Sequence, residues 1–262
     1  MALDELVDYL QGSFSLVFVI ISLIIGITIL IKYFEFKNRL YILVGISVCG
    51  FSFPWIPDSL SFLINLFTQQ SLNIGWYFII GNCFIPIALI AWSMAFTDMI
   101  YRQSQKKIVF TVIILSILFE IVFFILYFIE LQQPNPFTTE NLIGTINPLR
   151  PFTVDFGIFI IVYLIIIILY MLVTGVIFAQ KSINLEDREV RLKGKLLRAA
   201  FITFAVAAVL DASLGMIFEN PADPLLAIFV VVVRILLIFS SLEFYGGFLL
   251  PRWMKEVLMK KE

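Results

Sequence analysis

Histidine is absent from the 262 residues, and cysteine occurs twice, as Cys49 and Cys83, each inside an apolar run. The first absence excludes a Ser-His-Asp or Cys-His triad outright. With two separated thiols besides, it also removes the usual zinc-site ligand sets. Two cysteines within apolar runs speak against a disulfide framework. Charge is scarce too, at 14% of residues, against roughly a quarter in an ordinary soluble domain. Nothing here calls for a cofactor or a nucleic-acid partner, and no nucleophile–base set is visible, so an enzyme is not expected.

What is present is apolar surface: 61% hydrophobic residues, including 28 Phe. That composition predicts an all-α integral membrane protein with the lipid bilayer as its partner. Each span must hold the ~20 apolar residues a bilayer requires. Seven such runs are expected, at Ser13–Tyr33, Leu40–Phe67, Ile74–Met99, Ile108–Glu130, Val154–Ala179, Leu196–Phe218 and Pro224–Leu250, all within one domain. Pro54 and Pro57 should kink the second run, and Pro86 falls near the middle of the third. The longest link, Leu131–Phe152, carries Pro134, Pro136, Pro148 and Pro151, which forbid a regular helix. The apolar run near the N-terminus is too long for a signal peptide and reads as a retained span.

The basic residues are distributed unevenly. Of 18 Lys and Arg, 16 fall in the links after spans 1, 3 and 5 and in the tail; Arg150 alone lies on the other side, and Arg234 lies inside a span. The positive-inside rule then predicts an outer N-terminus and a cytoplasmic C-terminus in the cell membrane, with Glu5 outside and Lys260 inside. In the link before span 6, Asn184 is the expected N-cap of a helix from Leu185, supported by Asp187–Arg191 and Glu189–Lys193 pairs and running unbroken into the span. The tail 251–262 puts Trp253, Met254, Val257 and Leu258 on one side and reads as a short interfacial helix.

Polar residues inside the spans are the candidate site. Asp211 in span 6 is eight residues from Glu219, and Arg234 in span 7 is eleven from Asp223, across the turn Glu219–Pro224. At 1.5 Å per residue both lie roughly 12–16 Å below the same face. An acid and a base at matched depth on adjacent helices should pair, because either alone in hydrocarbon costs about 2.5–3.5 kcal/mol or more. Asp58, Asn82, Glu120 and Tyr163 fall at similar depth in spans 2, 3, 4 and 5. The expected ligand-binding set is therefore Asp58, Asn82, Glu120, Asp211 and Arg234, converging on one outward cavity beneath the Leu131–Phe152 link. Three carboxylates against one guanidinium would favour a cationic or proton-rich occupant, with Glu120 the carboxyl held protonated. Each residue also has a plainer reading. Asp211–Arg234 would be a clamp fixing helix register, Glu120 a protonated carboxyl on a backbone carbonyl, Asp58 an interfacial residue if Pro57 ends the helix, and Asn82 a bond to a kinked backbone. Glu243 lies nearer the cytoplasm and should snorkel towards the inner interface.

Span 7 has no lysine for a retinal Schiff base, and Asp98-Met-Ile-Tyr-Arg102 and Ser240-Ser-Leu-Glu-Phe-Tyr245 do not match the receptor motifs of G-protein-coupled receptors. The run Arg188-Glu-Val-Arg-Leu-Lys-Gly-Lys195, the Asp211 region and Phe244-Tyr-Gly-Gly-Phe-Leu-Leu-Pro-Arg-Trp-Met-Lys255 resemble the seven-helix sensor input domains at the N-termini of microbial histidine kinases. The resemblance covers general layout over most of the chain and sharper motifs over its last two spans. The sequence holds no kinase, PAS or HAMP module. It therefore implies a receptor-like sensor of a small molecule or of protonation, signalling through a separate cytoplasmic partner. The alternative is a secondary transporter of a cation or small cationic solute. An echo between Pro57-Asp58-Ser59-Leu60 and Leu210-Asp211-Ala212-Ser213-Leu214 fits the repeats of some small transporters.

Overall fold

The computed structural model describes residues 3–147, 150, 152–218 and 223–259. Seven helical stretches in it are long and apolar enough to cross a membrane: Leu6–Phe36, Arg39–Thr68, Ile74–Met99, Arg102–Leu131, Ile158–Ile183, Arg188–Gly215 and Pro224–Leu249. The chain is therefore a helical bundle of multi-pass membrane type. Its outward side chains are lipid-like in character, as with Ile24, Phe34, Leu115 and Ile166, all exposed.

Five of the seven stretches are built on one α-helix each: α1 (Leu3–Phe36), α6 (Gln105–Leu131), α7 (Ile158–Ile183), α8 (Arg188–Ile217) and α9 (Pro224–Leu249). The other two are broken. The second consists of α2 (Arg39–Phe51), a 3-10 turn Phe53–Trp55 and α3 (Ile56–Thr68); the third consists of α4 (Ile74–Asn82) and α5 (Ile85–Met99). Each break coincides with proline at the start of the following segment, Pro54, Pro57 and Pro86. Proline has no N–H to give the preceding turn, but is well accommodated where that N–H would be unpaired anyway. The expected kinks are thus full interruptions, and Asp58 falls in the first turn of α3. α10 (Arg252–Met259) follows a left-handed Leu250 and Pro251.

Around the bundle, α8 packs between α7 and α9, α9 packs on α1, and α1 packs on α2 and α3; α2 meets α5, which touches both α6 and α7. Lipid tails offer helices no hydrophobic drive to associate, so close packing and polar contacts must hold the seams. At the α1–α2 seam Gly26 and Gly45 face each other: a Cβ on Gly26 would meet Cys49 and lie 3.0 Å from the Gly45 carbonyl. At the α1–α9 seam Ser22 and Ser241 hydroxyls are 2.9 Å apart.

Several expected boundaries move. The first helix begins about ten residues before Ser13, at Leu3, which brings Asp8 and Gln11 into it. Val154 does not open span 5. It starts β2 (Val154–Phe156), which pairs antiparallel with β1 (Gly144–Ile146), and α7 begins at Ile158. The link is therefore a folded cap: Glu130 accepts from the backbone N–H of Phe137 at 2.9 Å, and Phe137 is buried. Asn184 is the C-cap of α7, whereas the N-cap of α8 is Asp187, whose carboxylate accepts from Val190 N–H. The Glu189–Lys193 pair forms at 3.3 Å, and α8 runs unbroken from Arg188. Lys255 of α10 also pairs with Glu189. Trp253, Val257 and Leu258 are exposed, while Met254 packs at Gly246. Most of the turn Glu219–Pro224, together with Pro148, Pro151, the side chain of Glu5, and Lys260, lies outside the described residues.

Candidate functional site

The site forms where the breaks in the second and third spans come together with the last two spans. Arg234, on α9, is 1% exposed and carries two carboxylates: Nη1 donates to Asp211 at 2.5 Å and Nη2 to Asp58 at 3.2 Å. The expected Asp211–Arg234 pair therefore exists, but Arg234 is shared. Asp58 sits near the N-terminal, partly positive end of α3, which favours its charge. It is enclosed by donors: Gln11 at 2.9 Å, Ser15 at 3.4 Å, the Tyr77 hydroxyl and Arg234. Asp211 is less enclosed. Besides Arg234 it accepts from the Trp55 indole N–H at 2.7 Å, and its side chain is 19% exposed.

A second buried ion pair extends the network. Arg150, in the cap, donates to Asp8 of α1 at 3.2 Å and to the Gln11 amide oxygen. Gln11 passes the connection on to Asp58 through its Nε2. The chain Asp8–Arg150–Gln11–Asp58–Arg234–Asp211–Trp55 thus ties α1, the cap, α3, α9 and α8 to the turn at the break in span 2. Three carboxylates face two guanidiniums, leaving one negative charge in excess. Removing Arg234 strands two carboxylates and removing Arg150 strands Asp8, and a buried charge stranded in this way typically costs about 3–5 kcal/mol.

Beside this network lies a cavity of about 220 Å³. Its polar end is lined by Gln11, Asp58, Tyr77, Arg150, Asp155 and Asp211. Its deeper wall is apolar: Ile161, Leu164, Ile168 and Met171 from α7, and Phe204 and Ala208 from α8. Arg150 of the Leu131–Phe152 link lines it, and just beyond that link Thr153, Val154 and Phe156 do as well.

Two of the five sequence-chosen residues are elsewhere. Asn82 does not line the cavity; its Nδ2 donates to the Phe78 carbonyl at 2.9 Å, the plainer reading of a polar group at a helix interruption. Glu120 does not line it either. It sits with Cys83 and Tyr163, and among the described residues neither its Oε2 nor the Tyr163 hydroxyl has a hydrogen-bond partner. A shared expected depth does not bring these two to the cavity. Glu243, half-buried on α9, lies near Thr203 of α8 and does not line the cavity.

The residues missed were Asp8, Gln11, Ser15, Trp55, Tyr77 and Arg150. A signal existed for four of them. Asp8, Gln11 and Ser15 recur at i, i+3 and i+7, one face of a helix. Arg150 is the sole basic residue of its link. Among the described residues no group of three or more acidic, Cys or His side chains is arranged to hold a metal ion. Comparison with family models, with curated proteins and with solved structures finds no match to this chain.

Proposed function

We propose that the protein is a receptor-like membrane sensor. The cavity between the cap, α7 and α8 takes a small ligand from the outer side, and α8 carries its occupancy to the cytoplasmic end. The supporting observation is that one unbroken helix joins the two places: Asp211 lines the cavity, and Glu189, near the other end of α8, pairs with Lys255 of α10. They are 22 residues apart in sequence, about 33 Å along the axis. A ligand that engages Asp211 competes with Trp55 and Arg234 for its oxygens, and a shift in α8 alters the α10 contact. The output goes to a cytoplasmic partner at the basic end of the bundle, with the N-terminus outside as the Lys and Arg distribution requires.

A secondary transporter is the second reading. It is favoured by the interrupted helices of spans 2 and 3, since transporters commonly build midplane sites at helix breaks. Against it, the cavity is lined from one end of the bundle, and its deep wall is apolar.

The test uses a side chain in place of the ligand. Spin labels at Lys195 of α8 and Val257 of α10, both exposed, report the α8–α10 spacing, and Ala208→Phe fills the cavity. The filled variant is expected to shift the distance distribution from that of the unfilled protein in nanodiscs. Identical distributions overturn the coupling. Accumulation of labelled methylammonium by proteoliposomes, driven by an imposed gradient, would replace the sensor with the transporter.

A further inference from the structure

The cavity has two chemistries at its two ends, and their arrangement specifies a ligand class. This inference rests on reading the cavity as a ligand site. At the polar end the carboxylates differ in what they have left to offer. A carboxylate has about four lone-pair positions. Asp58 accepts from Gln11, Ser15 and Arg234 at Oδ2 and from Tyr77 at Oδ1, and at 3% exposure it has little left to offer a ligand. Among the described residues Asp211 accepts from Trp55 and Arg234 alone, and its side chain remains partly open to the cavity. Asp155, on β2, is exposed and lies against the same space; a Cβ on Gly215 of α8 would come within 3.2 Å of its Oδ1. Arg150, the one base on the wall, is drawn away by Asp8 and Gln11. With Asp155 included, four carboxylates face two guanidiniums, so a cation is favoured over an anion.

From there the cavity runs inwards along hydrocarbon. On α7 the lining residues extend from Ile161 to Met171, ten residues, and on α8 from Asp211 back to Phe204, seven. These are about 15 Å and about 10 Å of helix. A fully hydrated ion gains nothing from such walls. A molecule with an alkyl tail exchanges lipid or water for protein along that length while its head stays at the acids. Trp55, beside Asp211, adds an aromatic ring near the head position.

We propose that the cavity binds a monocationic amphiphile, its ammonium head held by Asp211 and Asp155 and its hydrocarbon tail lying between α7 and α8 towards Met171 and Phe204.

The experiment measures saturable binding of radiolabelled octylamine to the full chain in nanodiscs, with empty nanodiscs subtracted, and competition by octanol and octanoate. Octylamine is expected to bind saturably, about ten- to hundredfold more tightly than octanol, the range a charge-assisted hydrogen bond supplies. Octanoate should compete no better than octanol. Ala208→Leu, which fills the tail channel, should weaken binding at least tenfold. Asp155→Asn, a change on an exposed strand residue, should narrow the amine-over-alcohol preference without abolishing binding. Met171→Phe repeats the tail test where Ala208→Leu fails to fold. Equal binding of octanol and octylamine overturns the cationic head but leaves a ligand cavity and the sensor reading standing. Unchanged octylamine binding in folded cavity-filled variants overturns the site itself. Saturable binding as expected, with no shift of α8 against α10, supports this ligand class while removing the sensor.

Discussion

Replacing Arg234 tests the centre of the molecule most directly. Arg234→Met keeps much of the volume and removes the only cation shown within reach of Asp58 and Asp211. Two carboxylates, one of them fully enclosed, are then left without a countercharge. Such a change costs about 3–5 kcal/mol. Pairing Arg234→Met with Asp211→Leu removes one stranded acid but not the other. Asp58 keeps its bonds to Gln11, Ser15 and Tyr77 and still lacks a charge partner. Only the triple variant, with Asp58→Asn added, removes every unpaired charge of the triad. It should return to within about 1 kcal/mol of the parent, the scale of one neutral hydrogen bond. A simple Asp211–Arg234 pair predicts recovery at the double variant; the shared arginine predicts it at the triple. Unfolding by SDS in mixed micelles, followed by tryptophan fluorescence and far-UV circular dichroism, ranks the three. The reasoning fails if Arg234→Met costs less than about 1 kcal/mol, or if the triple variant is as unstable as the single.

Single cysteines at Gln132 and Glu256, in a background lacking Cys49 and Cys83, should label from opposite sides of the membrane, Glu256→Cys from the cytoplasm; same-side labelling would overturn the seven-span arrangement. Gly26→Ile should destabilise the α1–α2 crossing by about 1–3 kcal/mol, because the added atoms meet Cys49 and the Gly45 backbone; an unchanged SDS midpoint would mean that the two helices do not pack there. Gly144→Ala, at a φ of +146° and against the Asp155 carbonyl, should loosen the cap by about 1–3 kcal/mol and raise proteolysis of the link in intact vesicles. Equal cleavage rates would show that the strand pair does not close the cavity mouth. Lys255→Gln should change global stability by less than about 1 kcal/mol, as expected of an exposed ion pair, yet broaden the Lys195–Val257 spin-label distances.

The number of spans was legible because apolar runs of bilayer length leave little choice about what they form, and the helices fall close to where the runs do. Depth was legible for the same reason: helical rise converts sequence position into distance along the membrane normal. That is why Asp211 and Arg234 meet. The angular position of a residue is another matter. It depends on how each helix is rotated in the bundle, and in these all-round apolar helices no polar face announces the rotation. Glu120 and Asn82 have the same expected depth as Arg234 but turn towards Cys83 and the Phe78 carbonyl. The breaks compound the difficulty. Once Pro54 and Pro57 interrupt span 2, the register between α2 and α3 is no longer that of one helix, and Asp58 becomes a first-turn residue enclosed by Tyr77 and Gln11. Arg150 was hidden for a third reason. A link read only for its prolines offers no ground for a folded cap, and it is the cap that brings this cation down onto Asp8. The constraint that would have recovered it is electrostatic. A layer of three acids and one base cannot stay uncompensated in hydrocarbon, and a second cation was available in just one of the links at that end of the spans. Asking where the missing positive charge comes from leads to Arg150, and from Arg150 to the polar stripe of α1 that receives it.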